Sequence, residues 1–349
     1  MDTVLTFLQQ NRTRLDLARF GADAPLTSVI LTPRFQASSH VVFLLISQHK
    51  ATPVLVAKTP RLASATAAIG REAANLQRVQ ALRPQGFASI PQVVAYEEHC
   101  GRPLLVETAL VGKPMDPALV RQQRSQCCTA VVDWLLELQT PACDQVANTA
   151  PIADWYAELI AHPLRYLAEH FPLSASEEQL LQTTTALAKQ LQTMSLPLPF
   201  EHGDVSHPNL FLLPDGSAGV VDWELALPVG LPACDLFFFL TYAAFAHAGA
   251  GEQGGHLEAF TEAFWGPVPW TKEFVQRYAA AMELPHASLT PLFVLTWLRY
   301  LVGLLSRLAD ANGLAGRFDD ETANWLRQNR YFALWQHAVE HANELTWAA

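Results

Sequence analysis

The hydrophobic period of the chain changes from mainly strand-like to mainly helical near residue 115. This change restricts the possible folds more than any other feature of the sequence. Before it, short β-branched and apolar runs alternate with polar turns, at residues 29–31, 41–47, 53–58, 92–96 and 104–108. Such runs are typical of an antiparallel sheet. One stretch in this part, residues 63–82, has a helical period, and it ends before the helix-stopping residues Pro84 and Gly86.

After residue 117 the period is mainly helical, with predicted helices at residues 119–138, 152–171 and 176–194 and several more from residue 236 onward. One hairpin interrupts this pattern. Its strands, residues 209–213 and 218–221, flank a Pro214-Asp215-Gly216 turn. The sequence therefore predicts an α+β, bilobal fold: a small N-terminal lobe with an antiparallel sheet and one main helix, residues 1–112, and a larger, mostly helical lobe, residues 113–349.

Composition supports a globular chain and restricts its partners. Half of the 349 residues are hydrophobic and 16% are charged, so a sizeable core is expected. The formal net charge of -10, without basic clusters, argues against a nucleic-acid partner. An acidic balance would suit a cationic substrate, but it is equally common among cytosolic proteins.

The sequence also predicts a cytoplasmic location without a membrane partner. The five cysteines have no CxxC spacing, and the N-terminus has no secretory pattern. The most apolar segment, residues 236–249, is too short to span a bilayer and is expected to form a buried helix.

Three polar residues at the ends of the hairpin carry the predicted chemistry. Asp204, Asn209 and Asp222 combine oxygen ligands with a candidate base, and the hairpin should bring residues 209 and 222 close together. Mg²⁺ prefers hard oxygen ligands, commonly one or two carboxylates together with substrate phosphates. In phosphoryl transfer, one Asp orients the acceptor hydroxyl while an Asn and a second Asp hold the metal.

The ordered set of motifs resembles the aminoglycoside phosphotransferase and choline kinase-like family, which shares the protein-kinase fold. The motifs are His202-Gly203-Asp204, Asn209, Val221-Asp222-Trp223-Glu224, then Gly230, Pro232 and Asp235-Leu236, and the resemblance extends over residues 30–240. It implies an ATP- and Mg²⁺-dependent transfer to the hydroxyl of a small molecule, such as an amino-sugar, an amino alcohol or a related metabolite. Asp204 would be the catalytic residue, and Asn209 and Asp222 would be the metal ligands.

The same resemblance implies a nucleotide site upstream. Val56-Ala57-Lys58 resembles the strand that supplies the phosphate-binding lysine, with Glu72 as its ion-pair partner. Residues 105–110 would form the hinge, where backbone groups at Glu107 and Ala109 read the adenine edge. The phosphate-covering loop, residues 32–40, contains no glycine. Its Ser38 and Ser39 either contact phosphate or belong to an ordinary polar turn.

Other residues near these motifs have open or structural roles. His202 is expected to be structural, and Asp235 to be a buried acceptor that fixes the catalytic loop, because an unpaired buried carboxylate is costly. Glu224 either supports a metal-bound water or is structural. His207 either touches the substrate or caps the turn.

The sequence leaves two alternatives to a small-molecule kinase. A catalytically inactive pseudokinase switch is favoured only by the glycine-free loop, since every core polar residue is present. A protein kinase is disfavoured because the segment between Glu224 and Gly230 leaves no room for an activation loop.

The acceptor and the oligomeric state stay open at this stage. The acceptor should be set by residues 141–196 and by the helical region after residue 240. Aromatic residues in both regions are expected to be mainly core, although stacking on a sugar or enclosing a quaternary amine would use the same side chains. Glu252, Glu258 and Glu262 could bind an amino-sugar or form a solvated face.

Overall fold

In a computed structural model of the protein, the structure describes residues 3–31, 40–61, 66–82, 88–146, 154–251, 254–313 and 316–347. Contacts divide the chain into two units. The first comprises Met1–Pro114 and Asn209–Ala226, and the second comprises Met115–Pro208 and Leu227–Ala349. The division at residue 112 stays a prediction.

A five-stranded antiparallel sheet forms most of the first unit, in the order β1-β2-β3-β5-β4. Its strands are β1 (Leu26–Leu31), β2 (His40–Ser47), β3 (Pro53–Pro60), β4 (Val93–His99) and β5 (Arg102–Thr108). Two helices accompany it, α1 (Thr3–Gln10) and α2 (Thr66–Leu82). β1 lies at one end of this strand order and pairs with β2.

Side-chain alternation explains how this sheet builds its core. In β2, Phe43 and Leu45 are buried while the residue between them is less so, as expected for a strand with one face on a core. Their buried face packs in one cluster with Phe7 and Leu8 of α1. α2 contributes Ile69 to a second, smaller cluster.

A smaller sheet carries the hairpin predicted between the helical segments. β7 (Leu210–Leu212) and β8 (Ala218–Val220) pair antiparallel, and β6 (Lys113–Pro114) adds to the β7 edge. In the turn, Asp215 Oδ1 accepts from the backbone N–H of Ser217 at 2.9 Å. This side-chain-to-backbone bond is the local reason that the Pro-Asp-Gly sequence turns here.

The second unit is helical in its described part. Its helices are α3 (Pro117–Gln122), α4 (Arg124–Val146), α5 (His162–His170), α6 (Ala175–Lys189), α7 (Cys234–Ala248), α8 (His256–Trp265), α9 (Lys272–Ala281), α10 (His286–Asn312), α11 (Asp320–Gln328) and α12 (Arg330–Glu340). A π-helical segment, Ala157–Ala161, precedes α5. α6 begins with a capping box, in which Ser174 and Glu177 each bond the other's backbone.

Two apolar helices form the centre of this unit. α7 is buried along nearly its whole length, so the buried helix expected there is confirmed. Within α10, the stretch His286–Asp310 is long and apolar enough to cross a membrane by composition, but 72% of its apolar window is buried inside the protein. The predicted α+β class, with an antiparallel sheet in the N-terminal part and helices in the C-terminal part, is confirmed.

Candidate active site

A buried ammonium group paired with carboxylates lies in the first unit. Lys58, on β3, forms an ion pair with Glu72 of α2. Its Nζ also lies 3.3 Å from Oε1 of Glu107 on β5. All three side chains are buried. The structure thus brings three predicted site residues together, and Glu107 does so through its side chain, whereas the sequence analysis assigned its role to the backbone.

Carboxyl groups outnumber the single ammonium group in this cluster. Burial alone would lower the pKa of Lys58, but the carboxylates of Glu107, Glu72 and Asp222 raise it well above its ordinary value. Burial raises the pKa of Glu72 to about 8; Lys58 opposes this shift, and Glu107 and Asp222 add to it. Burial likewise raises the pKa of Glu107. Three acids share one lysine, so the group attracts a further positive charge or a proton.

α2 holds the segment that follows Asp222. Oε1 of Glu72 accepts from the backbone N–H of Trp223 at 3.3 Å. One turn away, Asn75 Nδ2 donates to the carbonyl oxygens of Trp223, at 3.0 Å, and Ala226, at 2.9 Å. Glu72 is therefore both the partner of Lys58 and an anchor for the backbone beside Asp222, whose φ of 69° lies in the left-handed region.

The two predicted metal ligands are neighbours at the open end of the hairpin. The backbone N–H of Val221 donates to the carbonyl of Asn209 at 3.0 Å, which places Asn209 opposite the residue before Asp222. Glu224, two residues further on, lies 3.6 Å from Nδ1 of His40 at the start of β2. This contact favours the structural reading of Glu224.

The oxygen donors of this site can supply only part of the ligand shell of a Mg²⁺ ion. Asn209 and Asp222 offer hard oxygen donors, and Oε2 of Glu72 and of Glu107 are buried acceptors without a hydrogen-bond partner among the described residues. Within the same residues, no group of three or more His, Cys, Asp or Glu side chains is arranged to hold a metal by itself. The residues thus fit an ion that takes its remaining ligands from phosphate and water.

Two backbone N–H groups of the predicted hinge are already bonded within the first unit. The N–H of Ala109 already donates to the carbonyl of Val54 at 3.1 Å, and the N–H of Thr108 donates to Gln92 at 3.0 Å. The donor expected at Ala109 is therefore used within the sheet. The next amide along the chain is that of Leu110, which follows the end of β5.

In the second unit, Asp235 fixes the backbone that leads to Asp204. It lies in the first turn of α7, and its carboxylate accepts from the N–H of His202 at 2.7 Å and of Gly203 at 2.8 Å. Gly203 has a φ of 85°, a conformation that glycine adopts without a side-chain clash. Burial and the nearby carboxylate of Glu201 raise the pKa of Asp235 to about 7, against the two amides, which lower it.

Asp204 follows directly from this tethered backbone. Its N–H donates to Nδ1 of His202 at 3.2 Å, and its Oδ1 accepts from the hydroxyl of Ser206 at 2.9 Å. His202 is fully buried, in keeping with a structural role. The pKa of Tyr300 is raised by burial first, then by Tyr331 and by the Asp204 carboxylate. The Asp204 carboxylate is therefore bonded to a serine and acts electrostatically on a tyrosine.

A further layer of buried polar contacts supports this loop. Gln139 of α4 donates to Asp235 Oδ2 at 3.3 Å and to the carbonyl of Phe200 at 3.0 Å, and the hydroxyl of Tyr278 donates to Gln139. Arg299 of α10 bonds both oxygens of Glu201, at 2.8 and 3.0 Å. The three residues that precede Gly203 are thus held from α4 at Phe200, from α10 at Glu201 and from α7 at His202.

The remaining predicted residues fall in different places. Ser38 and Ser39 lie outside the described residues, as does Glu252. Glu258 and Glu262 are exposed on α8, in keeping with a solvated face. Exposed His207 lines a cavity in the second unit that is described below.

Comparisons with known proteins place these features in a family. The family model described as "Phosphotransferase enzyme family" matches residues 33–274, more than half of the chain. The chain belongs to this phosphotransferase family. A search of curated protein sequences found no match.

Solved structures have the same fold at low sequence identity. A protein described as a fructosamine-3-kinase, from Haemophilus somnus 129PT, is 14% identical with a TM-score of 0.53, and the match covers 96% of this chain and 97% of that one. The choline kinase LicA from Streptococcus pneumoniae is 12% identical with a TM-score of 0.54, over 96% and 99% of the two chains. The resemblance inferred from the motifs is confirmed, and the enzyme class is that of a phosphotransferase.

Proposed function

We propose that this phosphotransferase moves the γ-phosphoryl group of ATP to the hydroxyl of a small molecule, with Mg²⁺. The observation that carries the proposal is the buried Lys58–Glu72–Glu107 group beside Asp222, because burying one ammonium among three carboxylates is costly unless a ligand uses them. A role in binding nucleotide phosphates explains this arrangement.

Each residue then has a defined task. Lys58, oriented by Glu72, would neutralise the α and β phosphates, and the backbone amide of Leu110, which follows β5, would read the adenine edge. Asn209 and Asp222 would hold the ion, which when bound neutralises phosphate charge during transfer. Asp204 would accept the hydroxyl proton, and its hydrogen bonds to Ser206 and within the loop would keep its carboxylate in place.

Phosphoryl transfer requires mainly positioning and charge stabilisation from the protein. This requirement agrees with the backbone before Asp204, where the N–H groups of His202 and Gly203 are both bonded to the Asp235 carboxylate. We expect a rate defect when this positioning fails, even where the nucleotide still binds.

The test is a screen of ATP consumption over hydroxylated metabolites and antibiotics, followed by ³¹P NMR of the product. Asp204→Asn keeps the shape of the side chain and removes the base, so turnover should fall by about a hundredfold or more while nucleotide affinity is retained. Lys58→Met should weaken nucleotide binding. Wild-type turnover in Asp204→Asn on the true acceptor would refute the assignment.

A further inference from the structure

The second unit contains a cavity of about 350 Å³ beside the catalytic loop. Ser206 and His207 line one side, and Phe238, Phe245 and Tyr331 supply aromatic walls. Because the Ser206 hydroxyl donates to Asp204 Oδ1, this cavity adjoins the predicted base. Its volume suits a small metabolite.

Among the lining residues that the structure describes, the permanent charge is positive. Arg330 lines it, and no carboxylate occurs among the lining residues that the structure describes. In the described part of the chain, Arg330 has no ion-pair partner. His256 also lines this wall. Burial and the Arg330 charge lower its pKa, against the carboxylate of Glu258, which raises it, so the charged form of this histidine is disfavoured. Arg330 is therefore the permanent charge of this wall.

The guanidinium of Arg330 is held in place without being neutralised. It lies over the rings of Tyr331, at 4.9 Å, and Phe245, at 5.7 Å. Its NH2 donates to the Tyr331 hydroxyl at 3.1 Å, and its NH1 lies 3.2 Å from Nε2 of His256. A cation fixed by aromatic faces and neutral partners loses little further side-chain freedom when it binds an anion.

Two helices begin at the same wall. His256 is the first residue of α8 and Arg330 the first residue of α12, helices of 10 and 11 residues. The N-terminal ends of helices carry partial positive charge, which favours an anion and disfavours a cation. Glu258 in the first turn of α8 opposes this effect at one helix end, whereas the first turn of α12 has no acidic residue and acts in the same direction as the arginine.

From these observations we infer that the acceptor is an alcohol that carries an anionic group, a carboxylate or a phosphate, and that Arg330 binds this group while the hydroxyl lies toward Asp204 and Ser206. This inference rests on the proposed function. It argues against the amino-sugars and amino alcohols that the family resemblance suggested, because a cationic acceptor would have to lie beside Arg330.

The test measures binding and transfer separately. Isothermal titration of the full chain with D-glycerate, glycerol 3-phosphate, glycerol and choline compares two anionic, one neutral and one cationic alcohol of similar size. At least one anionic probe should bind more tightly than glycerol and choline. Because a hydrogen bond between two charged groups is lost, Arg330→Ala should weaken that binding by about tenfold or more, and Arg330→Lys should weaken it less.

Arg165→Ala removes an exposed arginine from α5, elsewhere in the same unit, and is the matched control. It should leave the affinity unchanged, and thermal unfolding should show that both Arg330 variants fold. The preferred anionic probe, carboxylate or phosphate, identifies the anionic group. Tighter binding of choline, equal affinity in Arg330→Ala, or no measurable binding of either anion would overturn the inference.

Phosphoryl transfer to the same four probes separates this inference from the proposed function. Transfer to glycerol or choline but to neither anion would overturn the anionic acceptor and leave the phosphotransferase proposal standing. Arg330-dependent binding of an anion, without transfer to any alcohol in the wider screen, would support the ligand chemistry and count against the proposed function.

Discussion

Removing the Asp235 carboxylate should loosen the loop that presents Asp204 and destabilise the second unit. In Asp235→Ala, the N–H groups of His202 and Gly203 lose acceptors at 2.7 and 2.8 Å, the first in a fully buried position and the second in a partly buried one. An unsatisfied buried donor costs about 1–3 kcal/mol, and a partly exposed one costs less because water can replace the acceptor.

The same substitution also removes a carboxylate that is costly to bury, as its raised pKa indicates, and this gain offsets part of the loss. The net expectation is a loss of about 2–4 kcal/mol in the free energy of unfolding. Asp235→Asn keeps one acceptor oxygen and places an amide NH₂ against the other donor, so its loss should be about half as large.

Denaturant unfolding followed by tryptophan fluorescence measures this loss, since every tryptophan except Trp223 lies in the second unit. Hydrogen exchange of the His202 and Gly203 amides gives the local readout. If Asp235→Ala unfolds within about 0.5 kcal/mol of the wild type and both amides stay protected, the tether does not hold the loop, and this reasoning is refuted.

Three other expectations follow from buried groups. Because the pKa of Glu72 is raised to about 8, its carboxyl binds more protons in the native state than in the unfolded state between about pH 4.5 and 8. Calorimetry in metal-free buffer should therefore show that stability falls as the pH rises through this window. The slope should be smaller in Glu72→Gln. In Gly230→Ala the new methyl group would overlap the buried side chain of Glu201, so denaturant unfolding should show a loss of about 1–3 kcal/mol, and an unchanged midpoint would contradict the close packing. Iodoacetamide at pH 8, followed by peptide mass spectrometry, should label exposed Cys100 well before Cys234, because burial raises the pKa of the Cys234 thiol to about 12; equal rates would contradict its burial.

Features that depend on neighbouring residues in sequence were predictable. The hairpin follows from the turn chemistry of residues 214–216 and the apolar runs on both sides, and the ladder positions Asn209 next to Asp222 as a consequence. The pairing of Lys58 with Glu72 was predicted from the family resemblance of residues 56–58, and the structure brings the two side chains together.

Features that depend on register or on distant segments were not predictable. Whether Glu107 contributes its side chain or its backbone is decided by a one-residue choice of strand register, which turns every side chain to the other face. Arg330 and Tyr331 are separated from the catalytic loop by most of the second unit, and nothing in the local sequence distinguishes them from any other helix start.

The first unit is discontinuous in the chain, and this has a consequence for how it can fold during synthesis. Its five-stranded sheet is complete in sequence before residue 115, but the backbone partners of Glu72 and Asn75 are Trp223 and Ala226. On the ribosome, Glu72 can already pair with Lys58, but Asn75 lacks its two carbonyl partners until the helices between the two pieces have been made. A nascent chain arrested before the hairpin should therefore contain the sheet and the Lys58–Glu72 pair, with the Asn75 side chain still bonded to water.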